Sequence, residues 1–423
     1  MKRSFTRVLS SLAFVLGCAC LSFAGWAAAQ QTPKQELVIN SMASDPSARK
    51  SFELLVDGFR KKHPEVQVKV NTIDHESYKI QIRTWLPNQA PDVATWFAGN
   101  RAKFFVEKGL VEPIDDLWAG FDNEFSEGAR MASSFGGKAY LLPLNYYHWG
   151  FYYRKDLFEK AGVKTVPATW EQFLAAVDAL NAQQIIPVTL GTKQAWPAAA
   201  WFDFLNMRLN GYAFHVDLLA GKQSFKDARV RAAMEKWKTL ADKKAFPKDA
   251  PALTWQEAAA LLWQGKAAMY LMGNFIAAEI PDGIKDKIGF FPFPALDPKI
   301  ASAEVAPTDV IFIPSRAKNK ETARLFLKYA ATAEAQTKYN ESNGLLPPNT
   351  RSLVDQSNPY RKAGMDLLAN AQGLSQFFDR DADPQVAKVG MDGFVEFLAF
   401  PDRANQVLEK LDAVQKRVSK ANQ

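Results

Sequence analysis

Between Glu36 and Trp96 the chain switches repeatedly between two hydrophobic periods, and this limits its fold more than any other feature. Glu36–Asn40 (ELVIN) reads as a short apolar strand. Arg49–Phe59 then places Phe52, Leu55, Val56 and Phe59 at helical spacing on one face. Pro64–Asn71 alternates as a second strand, Ser77–Leu86 returns to helix, and Pro91–Trp96 is a third strand. Strands separated by helices specify an α/β fold, with a parallel sheet covered by helices on both faces. Ligands of such sheets sit beyond the carboxyl ends of the strands, near a topological switch point. The loops starting at Asn40, Thr72 and Trp96 all open on that edge.

The middle of the chain carries a different signal. Gly136-Gly137 turns into a buried strand, and Asn145-Tyr146-Tyr147-His148-Trp149 joins five side chains that each pair a flat or apolar body with a polar tip. Such a cluster can fill a core or stack on a flat ligand; as core, buried Asn145 and His148 would both need partners. Thr169 and Thr254 each precede a helix in a Ser/Thr-x-x-Glu/Gln capping pattern. Further strands are expected at Ile186–Leu190, Ala267–Met272, Phe290–Pro294 and Val310–Pro314. Glu321–Tyr339 reads as one long helix, and the remainder is helical to the end.

Composition bounds the rest. A chain of 423 residues, 48% hydrophobic and 23% charged, is of soluble globular type with room for two or three domains. The first residues are basic, Val8–Trp26 is apolar and small, and Ala27-Ala28-Ala29 offers a cleavage site. Residues 1–29 are therefore expected to be a secretory signal peptide. Val15–Cys18 is a poor lipoprotein box, which leaves lipid anchoring at Cys18 as an alternative. Cleavage after Ala29 removes both cysteines, Cys18 and Cys20, and with them any disulfide or thiolate chemistry. It also removes Lys2, Arg3 and Arg7, lowering the formal charge from +7 to +4. Basic residues are evenly spread, which excludes a nucleic-acid partner.

Six segments in order resemble one family: Ala90–Trp96 (APDVATW), Glu107–Ile114 (EKGLVEPI), Tyr152–Gly162 (YYRKDLFEKAG) leading into Pro167–Trp170, Gly265–Met269 (GKAAM), Gly273–Phe275 (GNF) and Gly344–Pro347 (GLLP). The chain resembles the extracellular solute-binding proteins of ABC importers, in the branch similar to maltose- and glucose-binding proteins. The resemblance implies a two-lobe periplasmic binding protein fold with a hinge and an interlobe ligand cleft. It divides the mature chain into an N-terminal lobe, 30–145 plus 311–355, and a C-terminal lobe, 146–310 plus 356–423, with hinge crossings near Asn145, Asp309 and Val354. It further implies a monomeric, non-enzymatic periplasmic binder that delivers a sugar or sugar derivative to membrane permease subunits, without cofactor or metal.

Carried over position by position, the resemblance assigns Ser44 and Asp45 to the loop after the first strand and Trp96 to a stacking tryptophan, followed by the polar pair Asn100 and Arg101. Tyr147 takes a hinge contact, with His148 beside it. Gly191, Lys193 and Trp196 belong to a cleft loop. Trp255, with the turn Gly273, Asn274 and Phe275, matches second-lobe aromatics, Phe275 replacing the usual tryptophan. Asp309 matches a sugar-binding carboxylate. The chemistry is consistent: flat rings cover the C–H faces of a pyranose, while Asp, Asn, Arg and His bond its hydroxyls. Trp170, Trp237 and Trp263 lie on helix faces and are expected in the core.

Three rival readings stay open. A glycoside hydrolase would need two opposed carboxyl groups, and Asp45 and Asp309 are the candidates; there is no Gly-x-Ser-x-Gly or His-Glu-x-x-His motif. A metal site has only four scattered histidines to draw on. An anionic sugar (phosphate, sulfonate or uronate) could be met by Arg101, Lys193 and Arg380.

Overall fold

The computed structural model describes residues 35–421 except Asp122. The expected signal segment, with Cys18 and Cys20, lies outside the described residues. The alternating start of the chain forms strand Gln35–Ser41, helix Pro46–Lys62, strand Val66–Thr72, helix His75–Trp85 and strand Val93–Phe97. The central strand pairs in parallel with both of the others. Strands Thr308–Phe312 and Leu142–Tyr146 then extend this sheet on the Val93–Phe97 side, both pairings being antiparallel. The sheet is therefore mixed rather than wholly parallel. The late strand returns from the other lobe and needs no covering crossover helix to run in the opposite sense.

A second sheet is built from Ile288–Phe291, Trp149–Arg154, Ala267–Gly273 and Ile186–Thr189, in that order. Only its last two strands are parallel. Each sheet has its own core. Leu37, Ile39, Phe52, Leu55, Val56 and Phe59 pack with Phe326 and Ala330 beneath the first. Phe151, Phe173, Trp201, Phe291 and Phe293 form a web of ring contacts under the second. These cores define two lobes. Trp170 and Trp237 are buried in the second, and Trp263 packs partly buried against it.

Capping decides several helix ends. Thr169 with Gln172, and Thr254 with Glu257, form the reciprocal hydrogen bonds expected of them. The single helix expected over Glu321–Tyr339 is two, Lys320–Ala331 and Ala333–Asn343, interrupted at Thr332. There the backbone is extended (ψ 145°), and the threonine hydroxyl accepts the Ala335 N–H as the cap of the second helix. A local side-chain bond of this kind competes with continuation of the helix.

The chain passes between the sheets at Tyr146–Trp149, where one strand ends and the next begins. Leu346 runs beside this crossing, exchanging two backbone hydrogen bonds with Tyr146 at 3.0 and 3.1 Å. Asn274 ties the second lobe to the same place, donating from its side chain to the Gly344 carbonyl (2.7 Å) and from its backbone to that of His148 (3.0 Å).

Candidate functional site

A cavity of about 190 Å³ lies between the lobes, and three parts of the chain wall it. The first lobe supplies the carboxyl ends of its parallel strands and the loops that follow: Ser44, Asp45, Asp74, His75 and Phe97, with Lys79 one turn into the next helix. The second lobe supplies Trp149, Gln194, Trp196, Trp255, Gln256 and Phe275. The third part is a short C-terminal segment bearing Phe377, Asp379 and Arg380. Tyr147, Tyr339 and Asn343, from segments flanking the Tyr146–Leu346 bridge, also line it.

The second-lobe wall is a set of rings locked edge to face. Phe275 meets Tyr147 at 5.6 Å, Trp255 at 5.4 Å and Trp149 at 6.1 Å, all at 80–85°. Trp149 in turn meets Trp196 at 6.0 Å and lies over Phe377 at 4.9 Å. Such packing fixes ring orientation through the quadrupoles of the π-systems. The ring of Phe275 occupies space that a side chain at 273 would take: a Cβ on Gly273 would fall 2.5 Å from it.

Charges concentrate on the first-lobe side and at the C-terminal segment. Arg380 donates to Asp309 (2.9 Å) and to the Tyr147 hydroxyl (2.7 Å), and its guanidinium lies 4.2 Å from the centre of the Phe97 ring. Asp379 accepts from Arg101 at 2.9 Å, and Lys79 lies 3.9 Å away. Burial would raise the Asp379 carboxyl, but Arg101, Lys79 and Arg380 outweigh it and hold the group below its usual range. His75 is pushed down to about 3 by burial first and by Lys79 and Arg380 second, so its imidazole is neutral. Asp45 is raised by burial and then by Glu279 and Asp74. At the mouth, Gln256 donates to Asp45 (3.0 Å) and Ser47 to Glu279 (2.7 Å), joining the lobes across the opening.

Seven of the residues expected at the site line this cavity: Ser44, Asp45, Tyr147, Trp196, Trp255, Phe275 and Asp309. The others lie behind it or to one side. Trp96 faces the opposite side of its strand, buried among Tyr78, Phe97 and Phe105. Strand alternation gives the cleft to its neighbour Phe97 instead. Arg101 lies behind the wall in its pair with Asp379, and Asn100 donates to the Asp381 carbonyl (2.6 Å). His148 is turned away from the cavity. Its ring packs edge-on against Phe290 (5.0 Å) and so tightly against Gly364 that no side chain would fit there. Both its nitrogens lack a partner among the described residues, and burial lowers it to about 3. Lys193 is exposed, with its backbone bonded to the Leu253 carbonyl (3.0 Å). Gly191 has a close-approach role, since a Cβ there would stand 2.3 Å from the Thr254 carbonyl oxygen. Gly273 and Asn274 support the site without lining it.

Several cavity residues had no assignment from the sequence: Phe97, His75, Gln256, Phe377 and Asp379; Trp149 was marked only as part of the Asn145–Trp149 cluster, and Gln194 only as lying in the expected cleft loop between Gly191 and Trp196. Phe97 was readable in principle from strand parity. The segment around Phe377 is about 70 residues beyond Asp309 in sequence and carries no local motif. Among the described residues no group of three or more His, Cys, Asp or Glu side chains is placed to hold a metal ion.

The arrangement can grip a ligand with apolar faces and a polar edge. Rings from the second-lobe wall can cover the faces, with the amides of Gln194 and Gln256 beside them, while carboxylates and a neutral imidazole opposite can meet hydroxyls. The cations at the cavity already have acid partners: Arg380 with Asp309, and Lys79 with Glu76 at 2.8 Å.

Comparison with known proteins agrees with this geometry. A solved structure of the bacterial solute receptor AcbH, described as having an exclusive preference for β-D-galactopyranose, is 30% identical, covers 91% of this chain and 99% of its own, and superposes with a TM-score of 0.86. An ABC transporter extracellular-binding protein of Pyrococcus horikoshii is 24% identical over 80% of this chain and 77% of its own. The multiple sugar-binding protein of Streptococcus mutans is 23% identical over 75% and 76%. The profile of one family matches residues 43–337. The chain thus belongs to the bacterial extracellular solute-binding proteins, with a two-lobe α/β fold and the cavity between the lobes.

Proposed function

We propose that this protein captures a neutral sugar between its lobes and delivers it to the membrane permease of an ABC importer, acting in the periplasm as a monomeric binder without catalysis. The observation that carries this reading is the pairing of a preformed ring wall with an Arg380–Asp309 pair whose charge is already matched. An aromatic platform suits the C–H face of a pyranose, and the paired arginine still has donors free for hydroxyls. An anionic sugar would require a cation lacking an acid partner, and the cavity's acids, Asp45, Asp74, Glu76, Asp309 and Asp379, outnumber Lys79 and Arg380. Hydrolysis is disfavoured because Asp309, one of the two candidate carboxylates, is bound up with Arg380. The sugars named for AcbH and the multiple sugar-binding protein support the ligand class.

We place the lobes by their sheets. Thr308–Phe312 goes as a whole with the first lobe, so the second crossing falls before Thr308 rather than at 310/311. A thermal-shift panel of neutral monosaccharides, disaccharides, uronates and sugar phosphates on the purified protein tests the reading. Binding at a hundredfold excess over Kd adds about 2.7 kcal/mol, a clear shift in melting. A neutral sugar should give the largest shift and remain intact by chromatography. A shift confined to anions, or release of a hydrolysis product, would overturn it.

A further inference from the structure

The wall bearing Asp379 and Arg380 is a helix of one turn, Phe378–Asp381, too short to hold its own place. Its side chains pair with Arg101, Asp309 and Tyr147, and its backbone is tied to a buried polar chain in the second lobe. Helix Trp196–Asn210 lines the cavity with its first residue and carries Asp203 about two turns later. Asp203 Oδ2 accepts the backbone N–H of Phe378 at 2.9 Å, linking residues 175 positions apart. Its other oxygen lies 3.5 Å from His215 Nε2, close but not hydrogen-bonded, and both side chains are fully buried.

The direction of every bond in this chain follows from one backbone carbonyl. Arg229 O can only accept, so the Asn210 side-chain nitrogen donates to it (3.0 Å) and also to Asn206 Oδ1 (2.7 Å). Asn206 Nδ2 must then donate to His215 Nδ1 (3.0 Å). A neutral His215 is left with its proton on Nε2, the ring nitrogen on the Asp203 side. Asp203 thus accepts one hydrogen bond, from Phe378, while its other oxygen stands near the His215 Nε2–H without closing a bond.

We propose that Asp203 is a positioning residue of the ligand site: by accepting the Phe378 N–H it fixes the Phe377–Asp381 segment and so the places of Asp379 and Arg380 in the cleft. The inference rests on the reading of this cavity as the solute site, but its anchoring step does not need a ligand. The Asp203→Asn change preserves volume and breaks the pattern. His215 Nδ1 is committed to Asn206, so the introduced amide must present its N–H groups either to His215 Nε2–H or to Phe378 N–H.

Amide hydrogen exchange of the ligand-free protein decides the anchoring. In D203N, and in D203A if it folds, exchange at Phe378–Ala382 should rise about tenfold, the scale of one lost buried bond, while helix Pro384–Ala399 keeps its protection. Unchanged exchange at Phe378–Ala382, or an equal rise across both helices, would overturn the proposal. The second arm is titration of wild type, D203N, R380Q and the double variant with the neutral sugar giving the largest thermal shift. D203N should weaken binding about tenfold alone and have little further effect beside R380Q. Fully additive losses would assign Asp203 a purely structural role and overturn it too. If no sugar binds, the functional reading fails, and the exchange arm still decides the anchoring.

Discussion

The two walls of the cleft differ in what holds them. The rings of the second lobe, Trp149, Trp196, Trp255 and Phe275, are set by contacts with one another, and none of those contacts depends on the first lobe. The polar groups opposite are held largely by partners that arrive from elsewhere. Asp309 needs Arg380, Arg101 needs Asp379, and Asp45 needs Gln256. One wall is preorganised; the other is completed when the lobes meet. A solute should therefore land first on the rings and recruit the polar wall by closure, the order in which each wall can act.

The largest expected effect breaks the comparison at its base by separating core rings from cleft rings. Trp237→Ala and Trp96→Ala should each cost about 3–5 kcal/mol of ligand-free stability in denaturant titrations. Trp255→Ala should instead lose about 1–3 kcal/mol of sugar affinity with a smaller change in stability. Phe97→Ala should weaken binding more than Trp96→Ala; the reverse order would return Trp96 to the site.

Acid sensitivity is next in size. His75, His148 and His215 are each lowered from 6.5 to about 3, chiefly by burial. The unfolded chain protonates these rings as pH falls through 6.5, whereas the fold resists until about 3. Their stabilisation is therefore fully present above 6.5 and is lost as pH falls from 6.5 toward 3. Unfolding free energy measured from pH 7 to 4 should decline, and His148→Leu should make the decline shallower. An unaltered slope would mean that His148 is not held neutral in the fold.

A smaller effect sharpens the polar wall. Gln256→Ala removes the bond to Asp45 at the mouth and should weaken binding by about 0.5–1.5 kcal/mol, mainly through faster release. Stopped-flow dissociation checks this. A change confined to the association rate would mean that the mouth gates entry rather than holding the closed form.

How far the sequence reached follows the same division. Helices with a clear apolar stripe, strands with alternation and threonine caps were readable because those signals are local. Phe52–Phe59, Thr169 and Thr254 are examples. The antiparallel strand Thr308–Phe312 was not placed by the opening alternation because its partners are more than 150 residues away. Trp96 and Phe97 show a finer limit. Resemblance brought the reading to the right strand end, but one residue decides which face a side chain takes. Asp379 and Arg380 owe their place to contacts with Arg101, Asp309 and Tyr147 from far along the chain, and no local pattern records such contacts.

The reciprocal bond between Tyr146 and Leu346 has a mechanical consequence. Two lengths of backbone laced side by side form a narrow ribbon, which flexes readily out of its own plane but resists shear along its length. Lobes joined across such a bridge should hinge more readily than they slide or twist. A hinge of that kind should bring Gln256 to Asp45 and Ser47 to Glu279 in one fixed register whenever the mouth closes.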